Sequence, residues 1–425
     1  MTDRGQFTEI TIEEGKATGS MPEGTIGRAC LIAEHASVLG INLVDAATDI
    51  QDLFGDCELA TELSDAQANA GTSYYCIVAT FASGYITGDT IKSILQGILD
   101  MQYEPEFFVL QKPCDLALAQ KYEEALQYFQ DNKRWFSGVA QYRRARAFDL
   151  EGVVAADGSG HTILPIVGHG FLNPDQVVIS GSGNYDGTIN VLPTSTADAL
   201  HIDVAFTAET FPAGALLEEK PETYATRFGS DFATLSADKL MLVAPVTQLG
   251  HLGAVFGYGC KQSIEQSIGR RDEGGIKSVE VDPAYSVAVL RTLVSHGAVI
   301  LKRPVEKPNM IVVNDDTTMW TAGSVRNWSR RRILCKGARS IFYYGNDLVN
   351  SNKYPKTKAG AMAAGEEIAT GLKEMRDGFP AQISGYELAP TWGTDGKLLV
   401  DWVVYDLNRL KIIGNQITLE EAQSA

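Results

Sequence analysis

The stretch that comes nearest to a chemical motif is Gly181-Ser-Gly-Asn-Tyr-Asp-Gly187. Glycine-rich turns hold phosphates when their amides and a following helix N-terminus face the anion. Here the third glycine stands one position too late for the dinucleotide fingerprint, and the residues that follow read as a strand. The segment is therefore a turn. Gly257-Tyr-Gly-Cys-Lys261 lacks the glycine and hydroxyl placement of a P-loop, and no Gly-x-Ser-x-Gly elbow occurs. Of the histidines 35, 161, 169, 201, 251 and 296, no two stand at helical ligand spacing. His169 sits beside glycine in an expected loop. The neighbours Asp315-Asp316 and Glu366-Glu367 would diverge on a strand or a helix, so neither pair makes a carboxylate site. Cys30, Cys57, Cys76, Cys114, Cys260 and Cys335 show no CxxC spacing and read as buried free thiols. Asn327-Trp-Ser329 fits a glycan acceptor that only a secreted chain would use. The expectation is a protein that is not an enzyme, with no catalytic residues, metal or cofactor. The competing reading is an α/β enzyme whose site is assembled from distant residues such as His169, Asp186 and His251.

Composition narrows the partners. The 425 residues are 44% hydrophobic and 21% charged, with a formal net charge of −17. Such acidity disfavours nucleic acid and anionic membrane surfaces. No run approaches the length of a membrane span, and the first residues lack a secretory profile, so the expected site of synthesis and assembly is a cytoplasm. One basic run interrupts the acidity: Arg326, Arg330, Arg331, Arg332, Lys336 and Arg339. It reads either as a solvated face or as a contact patch for an acidic partner or a neighbouring copy.

The elements that would position these residues alternate. Strands fit 28–33, 73–80, 107–111 and 135–141, with helices at 90–101 and 115–132 between them, which implies a mostly parallel sheet covered on both faces. From 149 to 221 the texture changes to Gly, Thr, Val, Ile and Asp, and strands fit 161–167, 176–180, 188–192 and 201–207. This is a small barrel or sandwich inserted into the α/β domain. The α/β rhythm resumes with strands at 240–245, 298–302 and 310–314, a helix at 285–296, and helices or mixed elements at 333–344 and 359–376. The predicted fold class is multi-domain α/β (α+β): a mixed-sheet core, an inserted all-β domain and strand arms at both ends. The expected division is an arm and linker at 1–25, α/β parts at 26–148 and 222–314, the module at 149–221, a further domain at 315–396 and an arm hairpin at 397–425.

The two ends carry the strongest signal. Residues 397–407 and 410–419 read as paired strands with no clean polar face. Leu398, Val400, Trp402 and Val404 share one side of the first strand, and Leu410, Ile412 and Ile417 lie on the second. A strand apolar on both sides must be covered on both sides, so the cover is expected from another molecule. At the other end, Phe7, Ile10 and Ile12 fall in a strand pattern that Gly15, Gly19 and Gly24 then break into a linker.

This order of elements resembles the sheath protein of contractile phage tails and contractile injection systems. The likeness rests on the early strand and linker, on Ile26-Gly-Arg-Ala-Cys-Leu-Ile-Ala33 with the short helix ending Asp52-Leu-Phe-Gly55, on Val325-Arg-Asn-Trp-Ser-Arg-Arg-Arg332 running into helices, and on the paired C-terminal strands. The resemblance implies stacked hexameric rings around an inner tube, with strand exchange between subunits through Phe7, Ile10, Ile12 and the C-terminal strand residues named above. It makes Gly15, Gly19 and Gly24 a hinge, and 315–396 a tube-proximal domain whose helix at 359–376 presents Lys356, Lys358, Lys373 and Arg376 to the tube. The small residues at 359–365 would permit that close approach. Implied partners are copies of the chain, a tail tube protein, and baseplate and tail terminator proteins, with the virion as location and no membrane insertion. Another tail component, tube or baseplate, is the alternative within the same class.

Overall fold

In a computed structural model of the chain, the described residues are 29–101, 105–262, 275–304, 309–313, 319, 327–350, 353–378, 381–393, 397–405, 411–413 and 417–419. The first part contains strands β1 (Ala29–Glu34), β2 (Gly40–Asp45), β3 (Tyr75–Phe81), β4 (Phe107–Leu110) and β5 (Ser137–Gln141). Between them run helices α1 (Ile50–Phe54), α2 (Glu58–Ala70), α3 (Ile91–Asp100) and α4 (Leu116–Asp131). The helices start where short polar side chains satisfy orphan amides: Asp49 accepts from Asp52 N, and Asp115 from Leu118 N at 2.8 Å. The inserted region carries β6 (Ala147–Asp149), β7 (Ala155–Ala156), β8 (His161–Leu164), β9 (Gln176–Ser180), β10 (Gly187–Asn190), β11 (Leu200–Ala205) and β12 (Leu216–Glu219). Helix α5 (Pro221–Asp231), β13 (Leu240–Val243), α6 (His251–Lys261), α7 (Val287–Ser295) and β14 (Ala298–Val299) then complete the core, followed by the short pair β15 (Leu301–Lys302) and β16 (Val312–Val313).

The core sheet has the order β14-β13-β5-β4-β1-β3-β2 and is parallel except for β2. Alternate side chains of each strand serve opposite faces. Cys30, Ile32, Phe108 and Leu110 pack with α3 and α4, while Leu31, Ala33, Phe107 and Val109 pack with α2 and α6. A sheet sealed on both sides explains why its strands read as continuous apolar runs. Five of the six cysteines are buried, and Cys57 is half-buried at the start of α2. Burial pushes the Cys30 and Cys260 thiols well up and Cys76 to about 12.

Helices α2 and α6 cross backbone to backbone. A Cβ on Gly253 would stand 2.0 Å from Glu62 O, and one on Gly257 2.3 Å from Ala66 O. These glycines lie four apart on one helix face, so α6 can be buried along nearly its whole length.

The inserted strands form a small two-sheet module, β10-β9-β12-β6 over β11-β8-β7, around Leu164, Phe171, Val177, Ile179, Leu200 and Leu217. Two partly buried ion pairs fasten it to the core. Arg143 donates both Nη atoms to Glu219 at 2.6 Å, and Arg227 Nε donates to Asp175 at 3.0 Å.

The C-terminal unit consists of α8 (Trp328–Asn350), α9 (Lys358–Asp377), β17 (Gly385–Trp392), β18 (Leu398–Tyr405), β19 (Lys411–Ile413) and β20 (Ile417–Leu419). β18 is central, antiparallel to β17 on one side and to β19 and β20 on the other. Among the described residues, no helix is long and apolar enough to cross a membrane. The architecture is mixed α/β with several sheets.

Candidate functional site

The C-terminal unit places the residues read as strand-exchange positions, and it changes their meaning. Leu398, Val400, Trp402 and Val404 do share one face of β18, but that face is buried inside the same subunit, beneath α8 and α9. Trp402 lies so close to α8 that a Cβ on Gly337 would meet its ring at 2.7 Å. Their cover comes from their own chain, which corrects the expectation of cover from another molecule. The opposite face, with Leu399, Val403 and Tyr405, is only half-covered, and Asp401 is exposed. Ile412 and Ile417 pair with Val404 and Val400 across the ladder. Leu410, Phe7, Ile10, Ile12, Gly15, Gly19 and Gly24 lie outside the described residues.

Sequence reasoning missed β17, whose Pro390 argues against a strand interior. The structure resolves the conflict: β17 is an edge, and among the described residues no strand pairs with its outer side. The Gly393 N–H donates to Lys397 O at 2.8 Å, which sets the alternation of the ladder. Residues 385, 387, 389 and 391 therefore bond to β18, while 386, 388, 390 and 392 turn their backbone groups outward. Pro390 occupies an outward position, where a missing N–H costs the ladder nothing.

Two members of the basic run, Arg331 and Arg332, do not lie on the surface. Arg331 and Arg332 are 2% and 1% exposed. Arg331 pairs with Asp238 at 3.3 Å and donates to Gln130. Arg332 Nε donates to Glu106 at 2.5 Å, and its guanidinium lies 4.8 Å from the Trp328 ring. They clamp α8 onto the core. Arg330 is half-buried, and Arg326 lies outside the described residues. The partners Glu106, Gln130 and Asp238 stand far away in sequence, so no local pattern announced this burial.

On α9 the expected tube-facing residues separate into two groups. Lys356 and Lys358 are exposed at its start, while Arg376 is exposed and Lys373 half-buried near its end. At about 1.5 Å rise per residue, roughly 22 Å separates Lys358 from Lys373. Arg376 bonds Asp377 at 2.6 and 2.7 Å, and Lys373 meets Glu366 at 3.3 Å. Of the small residues expected to meet a partner, Gly360, Ala361, Ala364 and Gly365 face inward instead; Ala359, Met362 and Ala363 are exposed.

A second region lies at the carboxyl ends of β1, β4 and β5, where the chain runs from β1 to β2 and β3 on one side of β1 and then crosses to β4 and β5 on the other. In open α/β sheets this switch point is the usual ligand crevice. A cleft of about 420 Å³ opens there. Lys112 Nζ pairs with Glu34 at 3.0 Å and donates to Ile86 O at 2.8 Å, and Arg144 pairs with Glu58. His35 is fully committed: Nδ1 accepts from the amides of Ser37 and Val38 at 3.2 and 2.8 Å, so Nε2 carries the proton and donates to Phe54 O at 3.1 Å. Cys57 Sγ accepts from Ala60 N at 3.4 Å as the cap of α2. Glu62, 1% exposed, accepts from Gly250 N at 3.0 Å and Gly253 N at 2.6 Å. Burial outweighs those two bonds and raises its carboxyl to about 7. Asp65 is raised to about 6, again by burial.

The residues named for the enzyme alternative hold structure. His169 Nε2 donates to Thr196 O at 2.6 Å while Nδ1 accepts from Phe171 N, Asp186 accepts from Ser182 N at 2.6 Å, and His251 lies between the carbonyls of Pro245 and Glu280. Among the described residues no group of three or more His, Cys, Asp or Glu side chains could hold a metal ion.

No protein-family model matches the chain, and no curated protein matches its sequence. In structure it is similar to a sheath tail protein from Desulfitobacterium hafniense, at 10% identity and a TM-score of 0.44, over 95% of this chain and 98% of that one. A likeness at this level fixes neither family nor function.

Proposed function

We propose that the chain is a structural subunit that assembles with copies of itself into the contractile sheath around a phage-type tail tube, and that contraction drives the tube through a host envelope. The observation that supports this reading is the outer edge of β17, eight residues long and on a sheet held firmly by its own helices. An unpaired edge is a template for an incoming strand. The buried face of β18 makes the sheet a fixed socket. Because Pro390 interrupts the outward donors, the incoming strand pairs along residues 385–389, and the N-terminal segment around Phe7, Ile10 and Ile12 of a neighbouring copy is the strand that fits. Gly15, Gly19 and Gly24 then supply the hinge. The role is mechanical: no reaction is catalysed and no cofactor is used. The tail tube, baseplate and terminator proteins are the other partners, and the virion tail is the location.

Leu388→Pro tests the edge directly, since it removes an outward N–H and leaves the bonds to β18 in place. The expected result is that the parent chain sediments as large assemblies at high concentration. The variant stays at subunit size with its helix content retained by circular dichroism. Assembly of the variant like the parent overturns the role of the edge, and a parent that stays monomeric overturns the sheath reading.

A further inference from the structure

Where the inserted module joins the core, three guanidiniums meet two carboxylates. Arg143 and Arg146 lie between β5 and β6, and Arg227 lies on α5. Glu219 holds Arg143 and Asp175 holds Arg227, each through both carboxylate oxygens. Among the described residues the Arg146 side chain has no ion pair. Its one hydrogen bond runs from Nη1 to Gly170 O, an oxygen that also accepts from Arg227 Nη1 at 2.8 Å. Burial, and then the charges of Arg143 and Arg227, lower its pKa; Glu219, which opposes that shift, is committed to Arg143. A guanidinium without a counter-charge thus sits beside two others, in a chain of net charge −17.

This guanidinium is held in one place. It lies 5.4 Å from the ring of the buried Phe171 and against Gly170, where a Cβ would stand 2.7 Å from Nη2. Gly170 has φ +61°, which a side chain would strain. With Nη1 on the carbonyl, Nε and Nη2 keep parallel N–H groups, the edge by which arginine grips two oxygens of one anion. Neither nitrogen is sealed from solvent.

We infer that this edge of Arg146, beside Arg227, is a binding site for an oxyanion, the carboxylate or phosphate group of a small molecule. The inference rests on the neck of the module alone and stands or falls independently of assembly.

Titration calorimetry of the full chain at a constant ionic strength of about 150 mM, where distant charges are screened, tests it with malonate and inorganic phosphate as probes. At least one gives a saturable one-site isotherm, and their separate affinities tell carboxylate from phosphate. Malonamide, of malonate's size without its charge, gives none. Arg146→Gln weakens binding at least about tenfold. Arg146→Lys, which keeps the charge and loses the fork, weakens it at least about fivefold. Lys121→Gln, at an exposed cation on α4, leaves it unchanged. No saturable binding of either anion, equal binding of malonamide, equal weakening by Lys121→Gln, or full binding in either Arg146 variant overturns the inference. Arg146→Lys keeps the test decisive if Arg146→Gln fails to fold.

Discussion

At the carboxyl end of the core sheet, charged side chains are closed on one another: Lys112 on Glu34, Arg144 on Glu58, Glu62 on the first amides of α6. The C-terminal sheet differs. One face of its central strand is settled, with Trp402 under α8, and among the described residues the backbone along the outer side of β17 is left open. A cleft of side chains selects by shape and charge and suits a small molecule. An open ladder selects by strand geometry and suits another chain. The contrast is one of kind: side chains pair with one another at one end, and backbone is what the other leaves open among the described residues.

The comparison breaks most sharply at Trp402. Trp402→Asp buries a charge beneath α8, so the C-terminal unit loses its fold, with a cost of at least about 3–5 kcal/mol; Val403→Asp, on the half-covered face, costs a fraction of that. Thermal unfolding of the pair measures the difference, and similar costs would mean that β18 has no buried side. Arg332→Ala comes next. It empties the buried site of the guanidinium, leaves the half-buried Glu106 without its partner and costs about 3–5 kcal/mol, read as a loss in denaturant midpoint.

Gly253→Ala forces α2 and α6 apart and costs about 1–3 kcal/mol. A pH effect of the order of 2 kcal/mol is expected at Glu62. Its folded pKa, about 7, lies above the ordinary 4.5, so the folded state holds the proton more tightly. Stability from this group is therefore present at low pH and lost as pH rises from about 4.5 through 7. The parent gains on Glu62→Gln as pH falls from 8 to 5, and a parallel pair of stability curves would refute this. The smallest effect is at the exposed pair Lys353 and Glu367, where Lys353→Ala leaves the thermal unfolding midpoint unchanged, because water screens the pair.

Periodicity carried much of this fold. β1, β4, α3 and α4 lie where apolar runs and helical spacing place them, because a sheet sealed on both faces writes its burial into every residue. β2 and α2 were not legible: β2 is a half-covered edge, and α2 packs through the backbone at Glu62 and Ala66 on glycines of α6 that lie far away in sequence. β17 was hidden by Pro390, and the burial of Arg331 and Arg332 by distant acidic partners. The cleft was equally unreadable, since Glu34, Glu62, Lys112 and Gln141 come from four separate elements or their ends. The apolar character of β18 was visible from sequence alone, but which molecule covered it was not.

Negative-stain electron microscopy of the purified full-length protein at high concentration tests the central claim most directly. The account predicts long hollow rods of stacked rings, absent when residues 1–20 are removed. A uniform field of single subunits, or rods that form equally well without residues 1–20, would contradict it.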